Sequence, residues 1–257
     1  MFSQSDGYER FMGRWSRRLA PLLVEFARVG EGSEVLDVGC GTGALTFAAA
    51  AIPSVRVTGV DPSTAFVRSA QRDCGERVRF EVGDASALRF SDATFDRALS
   101  LLVLNFLPDP ATGVREMMRV TRPSGIVAAA VWDYGEGMQM LRAFWDAAVA
   151  LAPDAAPRDE RHMPLTTRGA LTDLWRSHGL QSVEAEPLTI DMPFASFDDY
   201  WQPFLCGQGP AGVYAASLPE PARQALRVGL RDRLVNGDPD VGFTLRARAW
   251  AVRGGVI

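Results

Sequence analysis

One stretch near the start of the chain decides the fold, Val35-Leu36-Asp37-Val38-Gly39-Cys40-Gly41-Thr42-Gly43. Its apolar beginning predicts a short buried strand over 34–38. The glycines at alternate positions after that strand let the backbone turn tightly and approach a bound ligand, where a side chain would collide. A helix predicted over 44–52 follows and ends before Pro53. Strand, glycine turn and helix in this order predict a loop that cradles a nucleotide.

Outward from this stretch, strands alternate with helices, which is the pattern of a parallel sheet with helical crossovers. Further strands are predicted over 55–60, 78–82, 95–102 and 126–132. Helices are predicted over 8–28, from a cap at Ser63 to about residue 74, and over 110–121. The strand at 126–132 is wholly apolar, as expected for the buried middle of a parallel sheet.

The second half of the chain is less regular. It predicts helices over 138–151, 167–178 and 219–234, strands over 183–190 and 243–252, and a surface excursion over 152–164. We therefore expect an α/β protein with a doubly wound, mostly parallel, seven-stranded sheet and a helical cap insertion. We expect three regions. An amino-terminal helix at 1–30 covers the ligand, and a binding core follows at 31–135. The third region, 136–257, contains a cap for the acceptor at about 136–215 and then carboxy-terminal strands that complete the same sheet.

The composition excludes several classes of function. The 257 residues carry 27 basic and 31 acidic side chains, a net charge of −4, so no global basic field favours nucleic acid. Every basic residue is Arg, which excludes lysine Schiff-base chemistry and a Walker-type phosphate loop. Two histidines and three scattered cysteines predict neither a metal site nor a disulfide framework. Without a secretory signal or an apolar run near ~18 residues, we expect a cytoplasmic protein without a membrane span.

Acidic residues follow three of the predicted strands. Asp37, Asp61 and Asp84 each lie at the carboxyl end of a strand, the edge where an open parallel sheet binds ligands. Asp61 lies about 20 positions after Gly39, where a carboxylate can accept hydrogen bonds from ribose hydroxyls. Ala44 completes a dinucleotide-binding fingerprint, so these features are also compatible with NAD as the ligand. Each acid alone could start a turn, but together they predict a nucleoside-type ligand.

Four separated motifs over roughly residues 35–132 resemble the class I methyltransferase family. They are the glycine stretch with Asp37, the triplet Gly83-Asp84-Ala85, the run from Phe95-Asp96 through Ser100, Leu104 and Asn105 to Pro108-Asp109-Pro110, and the segment with Arg119-Val120 and Pro123-Ser124-Gly125. The resemblance implies a Rossmann-like methyltransferase fold with S-adenosylmethionine as cofactor. The chain departs from the family where Asn105 replaces a frequent His and Ser124-Gly125 replaces a Gly-Gly pair.

The resemblance also implies roles for single residues. Asp37 would help to hold the methionine ammonium group, and Asp84 would meet the adenine amino group. The leading helix resembles a family segment that covers the cofactor, so either Tyr8 or Arg14 is expected to reach the methionine carboxylate. An Arg exposed on an amphipathic helix is the alternative. The expected cofactor-binding residues are Tyr8, Arg14, Asp37, Gly39, Cys40, Gly41, Gly43, Asp61, Pro62, Ser63, Gly83, Asp84, Ala85, Ser100, Leu101 and Asn105.

Methyl transfer from a sulfonium needs few obligatory side chains, because the cofactor carries the reactive group. A base could take a proton from the acceptor, and His162, Tyr200 and Tyr214 are the candidates, with Tyr134 and Asp133 behind them. The aromatic and methionine residues of the cap either form core or line an acceptor cavity. In the second case, the glycine-rich stretch at 207–212 could hinge a lid.

These features predict an enzyme that transfers a methyl group from S-adenosylmethionine to a small, largely apolar molecule. The alternatives are an enzyme of the same fold that catalyses a non-methylating reaction such as cyclisation, and a non-catalytic nucleoside-binding protein. The expected partner is a small-molecule acceptor, with neither nucleic acid nor membrane, and the expected assembly is a monomer or a homodimer.

Overall fold

The computed structural model describes residues 5–235 and 240–257. Its main sheet contains β1 (Glu34–Val38), β2 (Arg56–Asp61), β3 (Val78–Val82), β4 (Phe95–Leu101), β5 (Thr121–Trp132), β6 (Gln181–Phe194) and β7 (Phe243–Gly255). Their order across the seven-stranded sheet is β3-β2-β1-β4-β5-β7-β6. The strands β1 to β5 pair in parallel, and β7 runs antiparallel to β5 and β6. The prediction of a mostly parallel, seven-stranded α/β sheet is confirmed.

The helices connect these strands. They are α1 (Ser5–Tyr8), a π-helix (Glu9–Gly13), α2 (Arg14–Phe26), α3 (Ala44–Ala50), α4 (Thr64–Ala70), α5 (Pro110–Val120), α6 (Gln139–Leu151), α7 (Arg168–Ser177), α8 (Phe197–Trp201), α9 (Gly209–Ser217) and α10 (Glu220–Leu234). Short 3-10 turns lie at Gln71–Asp73, Leu104–Phe106, Pro153–Arg158, Glu160–His162 and Gln202–Cys206. The predicted cap at Ser63 is confirmed, because its hydroxyl accepts the backbone N–H of Phe66 at 3.3 Å.

The order of the strands places a crevice at the end of β1. Leu36 of β1 pairs with Thr58 of β2 on one side and with Ala98 of β4 on the other. The chain therefore leaves β1 toward one half of the sheet and leaves β4 toward the other half. Where the strand order reverses in this way, the connecting loops separate and leave a ligand crevice beyond the carboxyl ends of the strands. The glycine stretch begins at that crevice.

Several boundaries differ from the prediction. The leading helix is interrupted by the π-helix, β5 begins at Thr121 rather than at residue 126, and β6 continues to Phe194. Backbone pairing explains the longer β6, because its ladder with β7 extends to Phe194 opposite Phe243. The range 136–215 is not one continuous cap, since β6 lies inside it and separates α6 and α7 from α8 to α10.

The aromatic residues of the cap pack as core. Phe144 stacks on Phe204 with ring centroids 4.6 Å apart, and Trp145 and Tyr200 are fully buried. Residues 209–212 of the glycine-rich stretch belong to α9, so only Gly207 and Gln208 of that stretch lie outside a helix. Among residues 5–235 and 240–257, the structure has no helix both long and apolar enough to cross a membrane.

Candidate functional site

A cavity of about 520 Å³ opens at the crevice beyond β1 and β4. It brings together most of the residues predicted to bind the cofactor, namely Tyr8, Asp37, Gly39, Cys40, Gly41, Asp61, Pro62, Ser63, Asp84, Ala85 and Leu101. Other residues of the wall were not predicted from the sequence, among them Ser16, Thr42, Phe66 and Phe106. Thr42 lies within the glycine stretch 39–43, so the sequence could have predicted it as a lining residue. Ser16 and Phe66 reach the cavity only through tertiary packing, which no local pattern predicts.

The glycine loop shapes the floor of this cavity. The backbone φ is positive at all three glycines of the loop, 78° at Gly39, 52° at Gly41 and 93° at Gly43. Residues that carry a Cβ rarely adopt this conformation. A Cβ on Gly39 would lie 2.4 Å from the side chain of Val103, so this position also needs close approach. A Cβ on Gly41 would have no atom within 4 Å. The loop therefore presents bare backbone to free space at Gly41.

Asp37 places a carboxylate with an unused oxygen at this floor. The side chain is buried, and its Oδ2 accepts the hydroxyl of Thr46 at 2.6 Å. Its Oδ1 is buried and has no hydrogen-bond partner among the described residues. Burial raises the pKa of Asp37 to about 7, although the bonds from Thr46 oppose this shift. An unsatisfied buried carboxylate oxygen is costly, and a ligand with a cationic donor would satisfy it.

Asp61 differs from Asp37 because the backbone satisfies both of its oxygens. Oδ2 accepts the N–H of Gly41 at 2.9 Å, and Oδ1 accepts the N–H of Ser63 at 2.8 Å. Burial raises the pKa of this carboxyl, against the effect of both bonds. Asp61 thus fixes the conformation of the glycine loop and the start of α4, while its remaining lone pairs stay available for a ligand hydroxyl.

Asp84 lies at the rim of the cavity and is exposed. Its Oδ1 accepts both the backbone N–H and the hydroxyl of Ser86 at 2.8 Å. These bonds lower the pKa of Asp84, so the group is ionised at neutral pH. Gly83 does not line the cavity; a Cβ there would lie 2.8 Å from Val60, which shows why the turn before Asp84 needs a glycine.

The amino-terminal segment supplies one wall. The Tyr8 hydroxyl lies 3.1 Å from the Ser16 hydroxyl, and its ring packs on Phe66 with centroids 5.5 Å apart. Burial raises the pKa of Tyr8 to about 12, so the phenol is neutral. Glu9 of the π-helix accepts hydrogen bonds from the Thr42 hydroxyl and from the Arg17 guanidinium. π-Helical turns occur frequently at functional sites.

Arg14 lies outside the cavity. Its guanidinium binds Asp199 of α8 at 2.7 Å and lies 4.3 Å from the ring centroid of Trp15 and 5.0 Å from that of Phe194. The ion pair and these aromatic rings hold the side chain against the cap, away from the cavity wall. Tyr8 is therefore the member of the expected pair that the structure brings to the site.

Three other predicted cofactor residues lie behind the wall. The Ser100 hydroxyl donates to the carbonyl of Val38 at 2.9 Å, which ties the ends of β4 and β1 together. Gly43 is the N-cap residue of α3, and a Cβ there would lie 2.6 Å from the ring of Phe47. Asn105 is buried in the Leu104–Phe106 turn next to the wall. These residues support the site without lining it.

The cavity wall contains none of the three predicted bases. His162 is exposed at the end of a short turn. Tyr200 is buried, and its hydroxyl donates to the carbonyl of Met140 at 3.0 Å. Tyr214 packs against Trp145 with ring centroids 5.4 Å apart, and the Arg158 guanidinium lies 5.6 Å from its ring. Tertiary packing thus assigns Tyr200 and Tyr214 to the core of the cap.

The described residues contain no group of three or more His, Cys, Asp or Glu side chains that could hold a metal ion. The chemistry of the cavity instead suits an organic cation with a nucleoside part. Asp37 offers an unused anionic oxygen, the loop offers open space at Gly41, and Phe66 and Phe106 offer aromatic surface. S-Adenosylmethionine carries these complementary groups, so the residues present fit it.

Comparisons with known proteins agree with this geometry. A methyltransferase domain family matches residues 36–129. The 2-methyl-6-phytyl-1,4-hydroquinone methyltransferase of Synechocystis sp. is 36% identical over 117 residues, which are 45% of this chain and 37% of that protein. The malonyl-[acyl-carrier protein] O-methyltransferase of Erwinia billingiae is 31% identical over 176 residues, 64% of each chain. The chain thus spans less than two thirds of these curated relatives.

The fold is shared with solved methyltransferase structures. Phosphoethanolamine N-methyltransferase 2 of Haemonchus contortus, in complex with S-adenosyl-L-methionine, superposes with a TM-score of 0.60. The two sequences are 20% identical, and the match covers 98% of this chain and 56% of that one. At this identity the likeness concerns the fold. Residues 36–129 thus match a methyltransferase domain family, and the seven-stranded sheet that contains them has the Rossmann-like fold of solved methyltransferases.

Proposed function

We propose that this protein transfers a methyl group from S-adenosylmethionine to a small, largely apolar molecule. The observation that carries the proposal is the buried Asp37 carboxylate of the cavity wall, whose Oδ1 has no hydrogen-bond partner among the described residues. A nicotinamide dinucleotide has no primary ammonium group to satisfy this oxygen. The methionine part of S-adenosylmethionine has one.

Different residues of the cavity would bind different parts of the cofactor. Asp37 would hold the ammonium group, Asp61 would accept a ribose hydroxyl, and Asp84 would accept the adenine amino group. Gly41 would let the backbone approach the ligand without a clash. When bound, the cofactor supplies a methyl group on an electrophilic sulfonium. The protein positions the acceptor and excludes water from the reacting atoms.

The apolar part of the wall supports an acceptor with little charge. Leu101, Leu102, Val103, Phe106 and Leu107 line the side of the cavity that follows β4. The hydroquinone named for the Synechocystis relative is a molecule of this kind. The excess of 31 acidic over 27 basic residues also favours a small molecule over nucleic acid.

Calorimetric titration and isotope transfer test the proposal together. We expect S-adenosylhomocysteine to bind more tightly than NADH or adenosine, and label from methyl-labelled S-adenosylmethionine to enter a product when an apolar metabolite extract is added. Absence of heat with S-adenosylhomocysteine, or preference for NADH, would refute the assignment of the cofactor. A new product that depends on the cofactor but carries no label would refute methyl transfer and favour cyclisation.

A further inference from the structure

A carboxyl group is buried in the segment 152–164, which the sequence predicts to be a surface excursion. Glu160 begins the turn Glu160–His162 and is only 4% exposed. Its Oε2 accepts the indole N–H of Trp145 at 2.7 Å. Burial raises the pKa of Glu160 to about 7. The charge of Asp159 also raises this pKa, whereas the indole bond and the charge of Arg142 lower it.

Arg142 does not form an ion pair with Glu160. Its two terminal nitrogens bind the Asp159 carboxylate at 2.8 and 2.9 Å, and one of them also donates to the carbonyl of Tyr134. Among the described residues, no salt bridge involves Glu160. A buried carboxyl group with a single neutral indole donor destabilises the folded protein when ionised, so packing alone gives little reason for a glutamate here.

Two more polar side chains are connected to this carboxyl group, Tyr134 through the charge of Glu160 and Asn105 through Tyr134. Tyr134 is buried, and the charge of Glu160 adds to the burial that raises its pKa far above the usual value, while the nearby Asn105 amide lowers it. Asn105 is 5% exposed, and its Oδ1 has no hydrogen-bond partner among the described residues. Its Nδ2 donates to the sulfur of Met163 at 3.5 Å, a weak acceptor.

Asn105 connects this group of polar side chains to the cofactor cavity. Asn105 belongs to the turn Leu104–Phe106, and Phe106 lines the cavity. Tyr8, which also lines the cavity, is near enough to Tyr134 to raise its pKa. Met163 is half-buried between the turn and the segment that carries Glu160. Because methionine is unbranched and adaptable, a ligand that extends beyond the cofactor can displace its side chain.

We propose that Glu160, Tyr134 and Asn105 form an acceptor subsite, which binds a hydroxyl group of the methyl acceptor and takes its proton. The proposal rests on the proposed function. In the step, the acceptor oxygen forms a bond to the methyl carbon as the carbon–sulfur bond breaks, and the electron pair of that bond stays on sulfur. The acceptor proton moves to the Glu160 carboxylate, and then to water. This assignment makes the acceptor a phenol or an alcohol.

The ordinary chemistry of acid–base catalysis supports this role. A base works best when its pKa lies near the working pH, and burial has brought Glu160 to that range. Asn105 can orient the acceptor, since its free carbonyl oxygen accepts a hydrogen bond. The predicted base His162 lies two positions after Glu160 in the same turn, but on the exposed side.

The Trp145 indole provides a direct spectroscopic readout in the protein without substrate. We expect its ¹⁵N–¹H resonance to shift with pH with a midpoint near 7, because the indole N–H binds the titrating carboxylate. The Glu160→Gln variant keeps an acceptor oxygen for the indole but should lose the shift. Asp154→Asn, an exposed acid of the same segment, serves as the control and should keep it. A flat response of the wild-type resonance, or a midpoint below about pH 5, would overturn the proposal.

A binding experiment tests the subsite itself. With protein loaded with S-adenosylhomocysteine at about pH 8, 4-fluorophenol should move the Trp145 resonance. Glu160→Gln should weaken its binding by about tenfold or more, the effect of losing a hydrogen bond to a charged group. Asp154→Asn should bind it as the wild type does. No movement of the resonance, or equal affinities of the two variants, would overturn the proposal. Absence of S-adenosylhomocysteine binding would instead refute the proposed function, and the pH titration would remain a separate result.

Discussion

Replacing Asp37 by Asn should stabilise the empty protein while it weakens cofactor binding. Asn retains the oxygen that accepts the Thr46 hydroxyl. It also removes the charge that burial makes unfavourable in the absence of a cation. The amide NH₂ of the new Asn would take the place of Asp37 Oδ1, which has no hydrogen-bond partner among the described residues. This hydrogen-bond donor would face the ammonium group of the cofactor, which is also a donor, so the two groups could not form a hydrogen bond. Stability and binding should therefore change in opposite directions.

The magnitude follows from the pKa of Asp37. Folding raises this pKa from 3.8 to about 7. Because the folded-state pKa is the higher one, the stability associated with the protonated group is complete below about pH 4 and is lost as the pH rises to about 7. A difference of about three units, at ~1.4 kcal/mol per unit, sets an upper limit of ~4 kcal/mol. We expect Asp37→Asn to exceed the wild type by ~2–4 kcal/mol in free energy of unfolding at about pH 8, and to match it near pH 4.

Denaturant unfolding at several pH values, with calorimetric titration of S-adenosylhomocysteine, measures both effects. Asp61→Asn is the matched comparison, because both Asp61 oxygens accept backbone N–H groups and an amide would place a donor against one of them. This second variant should be less stable than the wild type at about pH 8. The reasoning about Asp37 is refuted if Asp37→Asn loses stability equally at both pH values, or if it binds S-adenosylhomocysteine with unchanged affinity.

Three further changes test other parts of the cavity. Gly41→Val should abolish the binding of S-adenosylhomocysteine in calorimetry. The control is Gly32→Val, which should retain binding, since Gly32 also has a positive φ and open space around a Cβ. Equal binding by the two variants would contradict a close approach of the ligand to the backbone at Gly41. Asp61→Ala should weaken cofactor binding by ~1–3 kcal/mol through loss of charged hydrogen bonds, and unchanged affinity of the folded variant would contradict the ribose role. Ser63→Ala should lower the free energy of unfolding by ~1 kcal/mol, since the cap of α4 is lost; chemical denaturation showing no change would contradict it.

Local patterns in the sequence were enough to predict most of the fold. The bounds of β1 and β3 agree with their apolar runs, and Ser63 marks the start of α4 because capping depends on neighbouring residues. The positions of the strand ends predicted most of the cavity wall, since parallel strands bring their carboxyl ends to one edge. Patterns of this kind depend on a few adjacent residues.

The remaining features depend on contacts between distant parts of the chain. Arg14 lies outside the cavity because its guanidinium pairs with Asp199, which is 185 positions later in the chain. Glu160 is buried by the packing of its turn against Trp145, and no local pattern distinguishes it from the exposed His162. The π-helical turn at Glu9 coincides with side-chain bonds to Thr42 and Arg17, so its geometry is likewise coupled to contacts outside the segment.

The place of the amino-terminal segment has a consequence for repeated turnover. Tyr8 is part of the cavity wall, and Glu9 connects that wall both to Thr42 and to α2. Under the proposed function, spent cofactor that leaves on this side needs these bonds to break and the segment to move outward, as lid opening limits many enzymes. We therefore expect product departure to be slower than the chemical step, so that rapid-mixing kinetics would show a burst of methylated product in the first cycle.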